Sequence, residues 1–146
     1  ENSECRIPKR MKWLDSNTLL INHSSKIDKI YFKNGEWFHE QGYFCSFNNT
    51  VEDFDWDKDK KYLISINYGL NVALFDLQTG EMLDQVRDDI DISKSISFIR
   101  KKHHNHYNGD FITTGRSGYL RSYRIHNEKI ISLGIINPEK SERTYS

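Results

Sequence analysis

The sequence predicts an all-β fold made of antiparallel four-stranded meanders repeated about three times. Three observations carry that expectation. The stretch 62–87, YLISINYGLNVALFDLQTGEMLDQVR, reads as strand, turn, strand, turn, strand. The pattern returns without a gap at Asp110–Ile125, 48 residues on: Phe111 falls on Leu63, Ile112 on Ile64, Leu120 on Val72, Tyr123 on Phe75 and Ile125 on Leu77. It also occurs upstream at Asn17–Phe32, at an offset of 45, with Ile21 on Ile66, Ile27 on Val72, Ile30 on Phe75 and Phe32 on Leu77.

Each element follows from local chemistry. Residues 1–9 are polar and irregular, and Pro8 keeps them extended. Arg10–Leu14 is a short first strand with Met11 and Trp13 on one face, turned by Asp15-Ser16-Asn17. Thr18–Asn22 and Lys26–Phe32 are the second and third strands. Asn34-Gly35 is the strongest hairpin signal in the chain. Glu36–Phe44 is the fourth strand, anchored by Trp37 and Phe38, with Gly42 marking a bulge.

After the polar connection Cys45–Thr50, Val51–Trp56 opens a second unit. Val51, Asp53 and Asp55 lie on one side of it, Phe54 and Trp56 on the other. The charged turn Asp57–Lys60 leads into Tyr62–Tyr68, where Leu63 and Ser65 oppose Ile64 and Ile66. Gly69-Leu70-Asn71 is a corner. Val72 and Leu74 then share one face, with Ala73, Phe75 and Leu77 opposite, so this strand is buried on both faces. Asp76–Gly80 turns the chain, Gly80 being free to take a positive φ. Glu81–Arg87 returns with Met82, Leu83 and Val86. Ser95–Arg100 opens a third unit, followed by the basic loop Lys101–Gly109 and the strands Phe111–Thr114, Tyr119–Ile125 and Lys129–Ile136. The units thus span about 10–44, 51–87 and 95–136, before a polar tail at 137–146.

Four strands per copy at a period of ~40–50 residues is the signature of a propeller blade. Helical repeats of that length need a 3.6-residue apolar period, which is absent. Aromatics make up 13% of the 146 residues, which favours sheet over helix and supplies much of the buried area of a modest domain. Charges balance at 21 basic and 21 acidic, so no global field steers the chain to nucleic acid or anionic membrane. No apolar run approaches the ~20 residues of a membrane span, and no leader peptide is visible.

The units resemble WD40-type propeller blades. FDWDKDKKYLISINYGLNVALFDLQTGEML is similar to that family's repeat: Phe75-Asp76 stands where the family has Trp-Asp, and Thr79-Gly80 stands at its Thr-Gly turn. Thr114-Gly115-Arg116-Ser117-Gly118 resembles its Ser-Gly-x-x-Asp-Gly corner. The departures mark degenerate blades. No Gly-His precedes the first strand of any unit, Tyr123-Arg124 replaces Trp-Asp, and the corner aspartate gives way to Leu70 and to Ser117-Gly118. LFDLQTGEMLDQV also resembles the quinoprotein-type repeat but lacks the tryptophan after its turn.

Residues that could carry chemistry are few. His103-His104-Asn105-His106 offers three imidazoles in four residues, yet a metal site needs ligands converging from separate elements, so the stretch reads as a solvated loop. Asp53, Asp55 and Asp57, and the run Asp88–Asp91, lack the EF-hand glycine and terminal glutamate, and read as strand and turn acids. No phosphate loop, nucleophile motif or triad is visible, so no catalytic residue, cofactor or metal is expected. Cys5 and Cys45 read as two thiols in a reducing compartment, although they could pair. The sequons Asn22-His23-Ser24 and Asn48-Asn49-Thr50 matter only in a secretory setting.

The expected function is therefore that of a non-enzymatic, intracellular scaffold, cytoplasmic or nuclear, that mediates protein–protein interactions within a larger complex. Propellers hold ~4–8 blades, so three units need further blades or another chain to complete the ring. In WD40-type propellers partners dock on the turns between second and third strands. That resemblance singles out Tyr68, Arg116 and Tyr119 as protein-binding residues, types enriched at hot spots. The alternative is a nucleic-acid-contacting subunit of a nuclear or RNA-processing complex, drawing on Tyr119, Arg121, Tyr123 and Arg124 as stacking residues. A quinoprotein-type propeller is a third reading.

Overall fold

The computed structural model describes residues 8–45, 49–69, 71–87, 93–100 and 109–136. Twelve strands run β1 (Arg10–Asp15), β2 (Thr18–His23), β3 (Lys26–Lys33), β4 (Glu36–Cys45), β5 (Val51–Trp56), β6 (Tyr62–Asn67), β7 (Asn71–Asp76), β8 (Met82–Arg87), β9 (Ser93–Phe98), β10 (Phe111–Gly115), β11 (Leu120–His126) and β12 (Lys129–Ile136). They form three four-stranded sheets, each a sequential antiparallel meander: β1 to β4, β5 to β8 and β9 to β12. Tight hairpins close them. Asn34 and Gly35 take φ of 53° and 80°, the left-handed pair that a two-residue hairpin requires.

The three sheets stack face to face. Leu20, Ile27 and Phe44 of the first sheet pack against Phe54, Leu63 and Phe75 of the second. The other face of the second sheet, Ile64, Ile66, Val72 and Leu74, meets Ile96, Phe98, Phe111 and Tyr123 of the third. The middle sheet is covered on both sides, which is why β6 and β7 lack the polar alternation of a half-exposed strand. Phe44 meets Phe75 edge-on at 5.6 Å, and Phe111 stacks on Tyr123 at 5.1 Å, so aromatic pairs sit at or beside both seams.

The second and third sheets share one register at an offset of 48: Leu63 pairs Phe75 as Phe111 pairs Tyr123, and Ile66 pairs Val72 as Thr114 pairs Leu120. The first sheet departs from the gapless alignment. Asn22 pairs Ile27, as Ile66 pairs Val72. The β2–β3 turn is one residue shorter than its counterpart, so β3 keeps the offset of 45 while β2 takes 44. Asn22, not Ile21, therefore stands in the place of Ile66. In a strand, one residue of slip exchanges the faces. Thr18, Leu20 and Asn22 point into the seam, while Leu19 and Ile21 point away from it.

A bulge between Val51 and Asp53 makes a second correction. Val51 joins Phe54 and Trp56 on the face toward the first sheet, leaving Asp53 and Asp55 on the other. Gly42 does lie in a bulge: Gln41, Gly42 and Tyr43 are passed over where β4 pairs Ile27 with Phe44 and Lys29 with Glu40. Trp37 and Phe38 are exposed rather than core anchors. The Asn22 amide is fully buried, donating to the Val51 carbonyl at 2.8 Å and accepting from the Arg10 amide at 2.6 Å, so this sequon is closed to a glycan. Cys45 is exposed at the end of β4. Cys5, Asn48, Leu70, the acids of 88–91, the histidines of 103–106 and the tail 137–146 lie outside the described residues.

Candidate interaction surfaces

The first strands of the three sheets converge and are tied by charge. Lys12 Nζ and Arg10 Nε each lie 3.4 Å from Asp53 Oδ1. Asp53 Oδ2 accepts the Ile96 amide of β9 at 3.1 Å, and Asp55 Oδ2 accepts the Phe98 amide at 2.8 Å. Arg100 closes on the other oxygen of Asp55 at 3.0 Å. Lys12 also donates to the Phe54 carbonyl. Near the opposite side of the stack, Asp84 of β8 accepts the Ile130 amide of β12 at 2.7 Å. Asp53 and Asp55 are thus fastenings between sheets. Among the described residues no group of His, Cys, Asp and Glu is placed to hold a metal ion.

One rim of the stack carries the β2–β3, β6–β7 and β10–β11 turns. The Val51 amide donates to the Ser24 carbonyl at 2.7 Å, and the Tyr68 amide to the Thr50 carbonyl at 2.8 Å, so the chain entering the second sheet is laced to two of these turns. Gly69 is pressed against this entry: a Cβ there would lie 2.2 Å from Asn49 Nδ2. Tyr68 and Tyr119 are 52% and 41% exposed on adjacent turns, and Arg116 is exposed in the turn closed by the Gly118 amide on the Gly115 carbonyl. At the opposite rim a groove of about 400 Å³ runs between the second and third sheets, with Tyr62, Phe98, Ile125, Asp57 and Asp59 among its lining residues.

The outward face of the first sheet is a surface that no local spacing in the sequence announces. Cross-strand pairs put Met11 beside Ile21, Trp13 beside Leu19, Leu19 beside Ile30 and Phe32 beside Trp37, all on the side away from the second sheet. Met11 is 64% exposed, Trp13 and Trp37 are 56% exposed, and Phe32 is 39% exposed. Met11 and Trp13 were legible as one face, but the one-residue slip of β2 hid the Leu19 and Ile21 that complete it.

The same face contains a polar island. Asp28 is buried, and its Oδ2 accepts from His23 Nε2 and His39 Nε2, each at 2.8 Å, while Oδ1 accepts the Gly42 amide at 2.7 Å. Burial acts to raise the Asp28 carboxyl, but these three hydrogen bonds together hold it below the ordinary carboxylate range. Its members come from β2, β3 and β4, so no local spacing announces it.

The outward face of the third sheet differs. Ile112 pairs with Ser97 and Thr114 with Ser95, a mixed surface in its first two strands, while the edge strand β12 leaves Ile131, Leu133 and Ile135 39–44% exposed. Arg121 and Tyr123, proposed as stacking residues for RNA, are both 1% exposed. Tyr123 occupies the place of Phe75 in the seam and cannot meet a base.

No family model and no curated protein matches the sequence. Among solved structures the chain is similar to the β-propeller domain of Cps50 (Swd1) from Myceliophteria thermophila, with a TM-score of 0.69 at 12% identity. The likeness covers 96% of this chain and 43% of that one, so the chain spans less than half the neighbour's length. The fold is that of a β-propeller segment, with three four-stranded blades among the described residues. No helix among the described residues is long and apolar enough to cross a membrane.

Proposed function

We propose that the chain is a non-enzymatic scaffold segment that mediates protein–protein interactions within a larger complex. The observation that carries this reading is the outward face of the first blade. Four large apolar side chains stand open there, on a surface whose counterparts in the other two blades are covered. Contiguous patches of this kind mark interaction sites, and an arc of three blades is shorter than the ~4–8 of closed propellers. Tyr68, Arg116 and Tyr119 supply a second surface, on the rim, for a partner of the assembled ring. An intracellular setting belongs to the same reading, supported by only two cysteines in 146 residues. The nucleic-acid alternative loses two of its four residues to the core.

Native mass spectrometry of the chain taken from its source at gentle salt tests the scaffold reading. The expected result is a complex with other polypeptide, or a longer polypeptide containing these blades. A folded monomer at 17.4 kDa overturns it. Joint Tyr68→Ala, Arg116→Ala and Tyr119→Ala replacement tests the rim: a partner should be lost without a change in thermal midpoint.

A further inference from the structure

The molecule holds two internal templates for how one blade receives the blade before it, and together they specify what the first blade receives. We infer that the outward face of the first blade takes a further β-blade whose innermost strand carries two acidic residues at alternate positions, with an aliphatic sheet face beside them. This inference rests on the scaffold reading above.

The argument starts from the repeat. By register, Met11 and Trp13 in β1 hold the places of Ile96 and Phe98 in β9: Met11 pairs Ile21 and Trp13 pairs Leu19, as Ile96 pairs Thr113 and Phe98 pairs Phe111. In the third blade those two positions present their backbone amides to Asp53 and Asp55 of the blade before. The corresponding amides of Met11 and Trp13 belong to β1, the edge strand of its sheet. A preceding blade with acids at i and i+2 would reach them in the same way.

Charge selects acids there for a second reason. Arg10 and Lys12 of β1 hold the places of Asp53 and Asp55 of β5, since Arg10 pairs Asn22 and Lys12 pairs Leu20 as Asp53 pairs Ile66 and Asp55 pairs Ile64. With Lys9 they make three cations in four residues. A preceding strand that carried cations, as β1 itself does toward β5, would meet like charge. One that carried carboxylates would meet both amides and cations. The apolar half of the match follows from the seams. Each incoming face is mainly aliphatic, Leu20 and Ile27 with one ring, Phe44, in one seam and Ile64, Ile66, Val72 and Leu74 in the other, and each receiving face is aromatic-rich. Trp13, Phe32 and Trp37 make the first blade a receiving face.

Photo-crosslinking tests this. The full chain, expressed in its source cells with a benzophenone side chain at position 13 or, separately, at position 37, is irradiated and the joined peptide sequenced. The expected peptide is a strand segment with Asp or Glu at alternate positions for position 13, and an Ile-, Val- or Leu-rich segment of the same sheet for position 37. Arg10→Gln with Lys12→Gln should lower the position-13 yield at least tenfold. Because those cations also meet Asp53, a sodium chloride series on the unaltered sequence gives an independent reading, the yield falling as salt rises. A joined peptide from a helix, from a second copy of this chain, or from a strand without alternate acids overturns the inference. So does a yield indifferent to salt. If partners are bound but the joined peptide is of the wrong kind, this inference fails alone. A monomer with no crosslink sinks the scaffold reading as well.

Discussion

Asp53 of β5 and Ile96 of β9 are joined by a carboxylate-to-amide hydrogen bond of 3.1 Å, and the other oxygen of the same carboxylate faces Lys12 of β1 at 3.4 Å. One buried side chain therefore touches all three sheets. Asp53→Ala should cost about 1.5–3 kcal/mol, the range for a hydrogen bond to a charged group, because the Ile96 amide is left unpaired in the seam. Urea denaturation measures it. A loss below half a kcal/mol would show that Asp53 does not fasten the blades.

Asp28 gives the stability a dependence on acid. Its carboxyl lies below the usual range in the folded chain, held there by Gly42, His39 and His23 against the effect of burial. A depressed folded value means that the contribution is complete above the unfolded value of about 3.9 and is lost as pH falls through the folded value. Asp28→Asn should cost about 1–3 kcal/mol at neutral pH. The gap between variant and parent should narrow below about pH 4. Denaturation midpoints from neutral pH into the acid range check this, and a gap that stays constant there excludes it.

Gly80 turns the chain from β7 into β8 at a φ of 79°, and a Cβ there would lie 2.4 Å from the Tyr43 carbonyl of the first blade. Gly80→Ala combines a left-handed residue with a clash against backbone. It should destabilise by more than about 1 kcal/mol, beyond the ordinary strain of the left-handed region alone. Gly35, at a φ of 80° with nothing within 4 Å of its would-be Cβ, supplies the comparison. Gly35→Ala should cost less in the same thermal melt.

Trp13 and Trp37 lie outside the core of the arc. Trp13→Lys with Trp37→Lys should leave the thermal midpoint within the shift expected of surface changes, about ±0.5 kcal/mol, and should raise the concentration at which the isolated chain stays dispersed. Light scattering against concentration measures the second effect. A large drop in midpoint would place these rings in the fold itself.

The meander of the second blade was legible because burial on both faces writes the apolar run Val72–Phe75 into β7, and Asp76–Gly80 marks the turn that follows it without ambiguity. The third blade copied that pattern at a fixed offset. The first did not, because a single deleted turn residue reverses a strand without altering its composition. Thr18, Leu20 and Asn22 look no more inward than Leu19 and Ile21 until the register is known. The Asp28 island and the Asp53 fastening were illegible for a different reason. Each depends on side chains from strands that are distant in sequence, and a carboxylate bonded to a neighbouring blade reads as an ordinary strand acid. Tyr68, Arg116 and Tyr119 could be placed on turns by spacing alone.

The positions Arg10 and Lys12, Asp53 and Asp55, and Ser95 and Ser97 occupy one equivalent site in three blades, and they run from basic to acidic to hydroxyl. Similar sheets stacked in series face a sorting problem, since any apolar face could adhere to any other during folding. Here the sequence of charges acts as an address. A first blade laid on a third would set Arg10 and Lys12 against Ser95 and Ser97 and leave Asp53 unmatched, whereas the native order satisfies each neighbour in turn. The fastenings therefore do more than add stability: they give the arc a direction, so that each sheet can recognise which neighbour comes next.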